Sequence, residues 1–447
     1  MDDILDRFVA EAPVAVLVRA SLAHMFADTT LDALFDRVAA AGYTRELTFS
    51  TLVKLLTKVV FTAQPSVHAA YRHTKDIPVS VTAVYDKLAG LETAVSAALV
   101  RETAAALQGV LGHLRPAPKE AIAGLRLRTL DGNFLAGTEH RLSDLRGCGA
   151  AALPGMSLVV RDGPSGLLTE VIPCEDAYTN ERSLAEKVLP LVAADDLWLA
   201  DRNFCTQDYL GGIAARGAFF LVRHHAGTHL QPQGAERYVG KNASGELYEV
   251  KVGLCGLVCR CIIVRLFKPL RDGTTELRLL TNVPGNQAGA RRLAELYRTR
   301  WHIETAFQEL TDNLRCEINT LGYPRAALFG FALAVAAYNL LVFVRQALAA
   351  GPSSPAVEEV SSYYLGNEVA TVSEGLAIAV PVERWQRLAA RTAMEFAAWV
   401  RGVVAGINWR TYRKSPRGPK KPVTVTRTQR GAHRSTARVL KQKGHKT

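Results

Sequence analysis

From the N-terminus to about His113, apolar residues recur at three- and four-residue spacing, as in Leu52, Leu55, Leu56, Val59 and Val60. That spacing gathers them on one helical face and predicts an all-helical domain over residues 1–115. Within it, residues 78–88 have a Ser/Thr start followed by helical periodicity, which fits an ordinary capped helix or a helix-turn-helix recognition element. Pro116 and Pro118 then block helix continuation and mark a boundary. Beyond them the period shortens. Residues 125–131, 156–162 and 167–172 read as three strands, and strands at 197–201 and 219–223 alternate with helices at 182–189 and 207–215. Such an order predicts an α/β class with a mixed sheet covered by helices. Residues 224–284 read as a β insertion, with strands at 247–252, 258–266 and 276–281. A single helix over 288–315 follows, then another over 326–348. Gly351 to Pro355 breaks the chain before a C-terminal helical region, 356–409.

The stretch 326–344 carries no charge and is long enough to span a bilayer. It is Ala-rich and includes Gly330, Tyr338 and Asn339, so it reads as a buried core helix in a protein with no membrane partner. The chain has 447 residues, 48% of them hydrophobic and 21% charged, which excludes a largely disordered or collagen-like protein and predicts more than one domain. Seven cysteines, an odd number, and an N-terminus without a basic and apolar leader point to a reducing cytoplasm. Cys255, Cys259 and Cys261 share strand parity and read as buried strand cysteines rather than a zinc site, since no second pair follows at suitable spacing. His224, His225 and His229 likewise read as packed or solvent-facing.

The net charge of +12 is concentrated at one end. Residues 410–447 hold thirteen Lys/Arg and no acidic residue, leaving 41 basic against 42 acidic residues in the first 409. This segment, with Lys420 and Lys421 at its centre, reads as a disordered basic tail that binds nucleic acid without specificity; the alternative is a solubilising tail.

Two predicted strands end in aspartate: Asp131, before Gly132 and Asn133, and Asp201, before Arg202, Asn203 and Phe204. Each alone is consistent with a strand-terminating cap. Together they place two carboxylates at the rim of one sheet, where open sheets put their sites. Convergent carboxylates are what hard divalent cations need for phosphoryl transfer. In the predicted long helix, Tyr297, Arg300 and Glu304 share one stripe: at ~100° per residue, Arg300 lies about 60° and Glu304 about 20° from Tyr297. A solvated polar face is the alternative, opposed by Trp301, Ile303 and Phe307, which read as packed around the stripe.

Tyr297, Arg300, Trp301, Ile303, Glu304 and Phe307, at this spacing, resemble the Tyr-Arg-Glu-Lys signature of bacterial insertion-sequence transposases with a DDE active site, of the IS-four type. Leu130-Asp131-Gly132 and Ala200-Asp201-Arg202-Asn203-Phe204 resemble that family's two aspartate motifs, in the expected order and with a β insertion before the glutamate. The resemblance covers about residues 125–348. It implies an RNase H-like catalytic domain over 120–350, in which Asp131, Asp201 and Glu304 hold two Mg²⁺ ions, with Mn²⁺ able to substitute. The implied reaction is cleavage at transposon ends and strand transfer into target DNA. Tyr297, Arg300 and Arg202 would bind DNA phosphates, the helical domain 1–115 would bind the ends, and a homodimer would hold paired terminal inverted repeats in the nucleoid-associated cytoplasm. A non-transposing nuclease of the same fold and an inactive DNA-binding derivative are the competing readings. Two positions depart from the pattern. The family's lysine is Thr311 here, for which Arg315, at ~0° from Tyr297 on the wheel, is the expected replacement on the DNA. No tryptophan lies between residues 202 and 289, where the family's hairpin-forming members carry one.

Overall fold

In the strand Asp196–Ala200, Trp198 and Ala200 pack to one side and Leu197 and Leu199 to the other, so period-two alternation here serves a sheet buried on both faces. The computed structural model describes residues 4–40, 46–74, 77–114, 120–137, 142–146, 152–254, 256–270, 272–352, 355–415 and 433–444. Its strands are β1 (Arg126–Phe134), β2 (Ala152–Leu153), β3 (Met156–Asp162), β4 (Leu168–Cys174), β5 (Asp196–Ala200), β6 (Phe219–Arg223), β7 (Gln231–Pro232), β8 (Arg237–Lys241), β9 (Gly245–Leu254), β10 (Leu257–Leu266), β11 (Glu276–Thr281) and β12 (Arg434–Ser435). The main sheet runs β4-β3-β1-β5-β6-β11-β10-β9-β7, with β8 also on β9. β1, β5 and β6 are parallel, and the remaining pairings in this sheet are antiparallel. The insertion strands therefore extend the same sheet from β6 outward. One face is covered by α8 (Glu181–Ala185), the 3₁₀ turn Glu186–Leu191 and α9 (Gln207–Ala214); Pro190 lies within that turn, and the helix expected at 182–189 stops early. On the other face lies α10 (Ala290–Tyr297).

The helices α1 (Ile4–Glu11), α2 (Pro13–Met25), α3 (Asp28–Val38), α4 (Phe49–Val60), α5 (Val67–Arg72), α6 (Val81–Gly90) and α7 (Thr93–Leu114) build the N-terminal region. Ser80 caps α6 by accepting a hydrogen bond from the Ala83 N–H at 3.3 Å, and only Val84 and Leu88 of this helix are buried. α11 (Trp301–Asn313), α12 (Pro324–Ala349), α13 (Ser362–Ala379), α14 (Val382–Ala389) and α15 (Ala393–Ala405) follow the sheet. The N-terminal helices, α11, α12 and α13 to α15 share one continuous apolar core, although Pro116 and Pro118 punctuate the chain between them. α12 runs through its centre: the 326–344 stretch expected to be a core helix lies wholly inside it, and every residue of its most apolar window is buried. Burial of a side chain such as Phe329 or Phe343 contributes roughly 1.5–3 kcal/mol.

Two polar residues of α12 settle its position. β4 is an edge strand, and Asn339 completes it: the Leu168 N–H donates to Asn339 Oδ1 at 2.8 Å, and Asn339 Nδ2 donates to the Leu168 carbonyl at 2.7 Å. Arg345, 9% exposed in its side chain, pairs with Glu309 of α11 at 3.2 Å.

Two expectations are corrected. The helix expected over 288–315 is broken by a 3₁₀ turn, Arg298–Arg300, and ends at Asn313, where Leu314 turns extended. The basic tail is not disordered throughout. Its residues 433–444 form β12, which pairs with β2, and α16 (Thr436–Gln442), because Ala437 and Leu440 find an apolar seat and Asp176 accepts hydrogen bonds from Ser435 and Arg438, both at 2.7 Å. Lys420, Lys421 and Cys255 lie outside the described residues.

Asn339→Leu should destabilise the protein by about 2–4 kcal/mol, because it strands a buried N–H and carbonyl of β4 at roughly 1–3 kcal/mol for each lost partner. Urea unfolding followed by circular dichroism measures it, and a loss under 1 kcal/mol would show that the β4 edge finds other partners.

Candidate active site

β1 and β5 pair in parallel with Thr129 opposite Leu199. Asp131 and Asp201 each lie two residues further on, so they stand side by side, about 5 Å apart across the pairing direction. Two-residue periodicity points both toward the sheet face on which α10 packs, in line with Leu127, Leu197 and Leu199. Asp201 follows directly on the end of β5. Asp131 does not end its strand: β1 continues to Phe134 against β3, while its pairing with β5 ends at Thr129. Asp131 therefore faces a notch left where β5 has stopped.

The aspartates are held by the backbone that follows them. Asp201 caps the 3₁₀ turn Arg202–Phe204 by accepting from the Asn203 N–H at 2.7 Å, and the Gly132 N–H donates to Asp131 Oδ1 at 3.0 Å. α11 brings the third carboxylate. Ile303, Ala306 and Leu310 bury one side of this helix, and Arg300, at its N-terminus, bridges the site: Nη1 donates to Asp131 Oδ2 at 2.8 Å and Nη2 to Glu304 Oε1 at 2.5 Å. The Asp131, Arg300 and Glu304 side chains are 15%, 12% and 33% exposed. Burial raises the Asp131 carboxyl to about 7, the nearby Asp201 and Glu304 charges push the same way, and Arg300 offsets only part. The site is short of positive charge.

Tyr297 belongs to the site but not through a free phenol: its hydroxyl donates to the Ala200 carbonyl, beside Asp201, at 3.3 Å, and burial raises it to about 12. The 3₁₀ turn after it replaces the continuous stripe by two short helices joined at Arg300. Arg202 is exposed next to Asp201. Trp301, expected to pack, is 62% exposed, whereas Ile303 is buried and Phe307 partly so.

Arg315 does not join the stripe. It lies past the end of α11, its N–H donates to the Val60 carbonyl at 2.9 Å, and its guanidinium donates to the Pro65 carbonyl, which ties it to the N-terminal helices. Thr311 is exposed, with its hydroxyl donating to the Phe307 carbonyl at 3.1 Å, and α11 itself, Trp301–Asn313, carries no Lys or Arg. Cys259 and Cys261 are buried in the sheet core. His224 bonds the Thr228 carbonyl and His225 accepts from the Gly227 N–H. Sequence reasoning missed Glu181, which reaches the same rim from the opposite face of the sheet and accepts from Asn203 Nδ2 at 3.0 Å. Its only trace in the sequence is a helix start, Asn180-Glu181, ahead of β5.

The donor set suits a hard divalent cation, since Asp131, Asp201 and Glu304 offer carboxylate oxygens alone. Among the described residues no three such side chains stand at metal-binding spacing; Arg300, bonded to two of the three, supplies the cationic charge instead.

Comparison with known proteins bears on this arrangement. Residues 130–340 match the transposase DDE domain family. That span covers Asp131, Asp201 and Glu304 together with the sheet and helices that carry them. No curated protein matches the chain. Among solved structures the chain is similar to a piggyBac transposase synaptic complex with hairpin DNA, at 11% identity and a TM-score of 0.38, over 90% of this chain and 78% of that one. The family match supports a DDE transposase, an enzyme class that uses divalent metals.

Because the folded-state value of Asp131 is raised, its contribution to stability is fully present below about pH 4 and is lost as pH rises through about 7. In chelator, Asp131→Asn should therefore gain stability over the wild type by roughly 2–3 kcal/mol more at pH 8 than at pH 5. Urea titrations at the two pH values measure the difference, and equal gains would show that Asp131 is ionised throughout.

Proposed function

We propose that the protein is a DNA transposase of the insertion-sequence IS-four type, which cleaves transposon ends and transfers them to target DNA. The observation that carries the reading is the convergence of Asp131, Asp201 and Glu304 from two parallel strands and one helix inside the segment that matches the transposase DDE domain. The strand order β4-β3-β1-β5-β6, antiparallel and then parallel, supports an RNase H-like core. Asp131, Asp201 and Glu304 would hold two Mg²⁺ ions, or Mn²⁺. Bound there, divalent ions supply activation of the attacking water or DNA 3′-hydroxyl and stabilisation of the leaving oxygen.

The protein's own residues align and neutralise. Arg300 holds Asp131 and Glu304 together through one guanidinium, and its fork matches a phosphate as well as it matches these carboxyl groups. Tyr297 fixes the end of β5 through the Ala200 carbonyl and so the position of Asp201. Arg202 lies exposed on the turn after Asp201 and would contact the DNA backbone. The exposed indole of Trp301, next to Arg300, offers a face on which a base can stack, a role sequence position alone did not suggest. The N-terminal helices, with the capped α6, would bind the terminal inverted repeats, and a homodimer would pair the two ends in the nucleoid-associated cytoplasm. Lys420 and Lys421 would add contacts to any duplex.

Asp131→Ala, Asp201→Ala and Glu304→Ala should each lower Mg²⁺-dependent cleavage of a duplex carrying the sequences that flank the gene by at least about a hundredfold, with DNA binding retained. Two of the three variants cleaving above about a hundredth of the wild-type rate would refute the assignment. For the tail, the Lys420→Ala, Lys421→Ala double variant should weaken binding to unrelated duplex and reduce the log-log salt slope by about 1–2. Fluorescence anisotropy from 50 to 200 mM salt measures it, and an unchanged slope would place these lysines off the DNA.

A further inference from the structure

We infer that Glu181 is a positioning residue of the active site, which braces the Asp131 strand and the turn after Asp201 against each other from the far side of the sheet. Asp131 follows the parity of Leu127 and Thr129, whereas Gly132 follows Leu130 and faces the opposite side, where α8 packs. There Glu181 contacts both the β1 strand and the turn after β5. One carboxylate oxygen, Oε2, accepts from Asn203 Nδ2 at 3.0 Å; the other, Oε1, rests on Gly132, where any Cβ would fall on it. Each of these two segments in turn holds an aspartate by a backbone N–H, Gly132 to Asp131 at 3.0 Å and Asn203 to Asp201 at 2.7 Å. A continuous path therefore runs from Asp131 through Gly132, Glu181 and Asn203 to Asp201.

Glu181 is itself well placed to act as a brace. It is the first residue of α8, which Asn180 caps by accepting from the Arg182 N–H at 3.0 Å and which Leu184 and Ala185 anchor in the core. The pairing of β1 with β5 ends at Thr129 and Leu199, two residues before the aspartates. Beyond that point Glu181 bridges Gly132 and Asn203, the neighbours that hold them. Gly132 is required because a side chain there would drive Glu181 off Asn203. The role asks for an acceptor at position 181 rather than a charge, which separates it from direct metal ligation.

This inference rests on the transposase reading, and the test keeps the two apart. Mn²⁺ binding, followed by electron paramagnetic resonance without DNA, is measured beside Mg²⁺-dependent cleavage at saturating duplex. Glu181→Ala, Asn203→Ala and Gly132→Ala should each lower the cleavage rate about ten- to a hundredfold, weaken Mn²⁺ binding severalfold and leave the apparent affinity for duplex unchanged. The Glu181→Ala, Asn203→Ala double variant should be no worse than either single one, since the two act through one contact. Glu181→Gln, which keeps an acceptor for Asn203, should stay within about threefold of the wild type in both measurements. Wild-type behaviour of Glu181→Ala overturns the inference, as do multiplying losses in the double variant. Glu181→Gln as impaired as Glu181→Ala also overturns it, by showing that the charge itself is needed. Should Glu181→Ala fail to fold, Gly132→Ala and Glu181→Gln decide the matter. A wild type that binds Mn²⁺ but cleaves no DNA refutes the transposase reading alone, and the Mn²⁺ series still tests the brace; one that does neither overturns both.

Discussion

The burial of α12 is the constraint on which the rest of the architecture depends. A helix apolar on all sides has no solvent face, so it has to be enclosed, and the chain supplies walls from both ends of its sequence: α2, α4 and α7 from the N-terminal region, α13 and α15 from the C-terminal one. Its few polar groups turn enclosure into alignment. Asn339 satisfies its amide against the β4 edge, and Arg345 its charge against Glu309, so α12 is locked at once to β4 and, through Glu309, to α11. The catalytic glutamate proposed at position 304 rides on that helix, 1.4 turns before the ion pair. Core and site are thereby coupled through one rigid connection.

The site carries the opposite constraint. Burial, with three carboxylates crowding one rim, outweighs the Arg300 guanidinium, so Asp131 retains a proton at a pH where an exposed aspartate would not. Such electrostatic tension is destabilising, and the divalent cations proposed to bind here would relieve it.

The described end of the C-terminal segment is held in place although it belongs to a run of basic residues. Around Ser435 and Arg438 the charges meet Asp176, an apolar pair finds a seat, and the chain is held against β2. Its composition alone argued for a uniform polycation. What decided otherwise was a partner 259 residues away in sequence, the Asp176 carboxylate that Ser435 reaches.

Local chemistry made much of this protein legible in advance. Period-two and period-three-to-four patterns located the main strands and helices, Ser80 its helix cap, and two aspartates on hydrophobic strands, with Tyr297, Arg300 and Glu304, the elements of the site. These signals depend on a residue and its near neighbours, which a linear sequence contains. Tertiary structure alone decided what needed distant partners. It broke the long helix at Arg298–Arg300, carried Arg315 off to the Val60 and Pro65 carbonyls, left Trp301 facing outward and merged both helical regions into one core. It also set Glu181 against Gly132 and Asn203 across the sheet, a contact between a helix start, a strand and a turn whose spacing in sequence holds no period for a pattern to reveal.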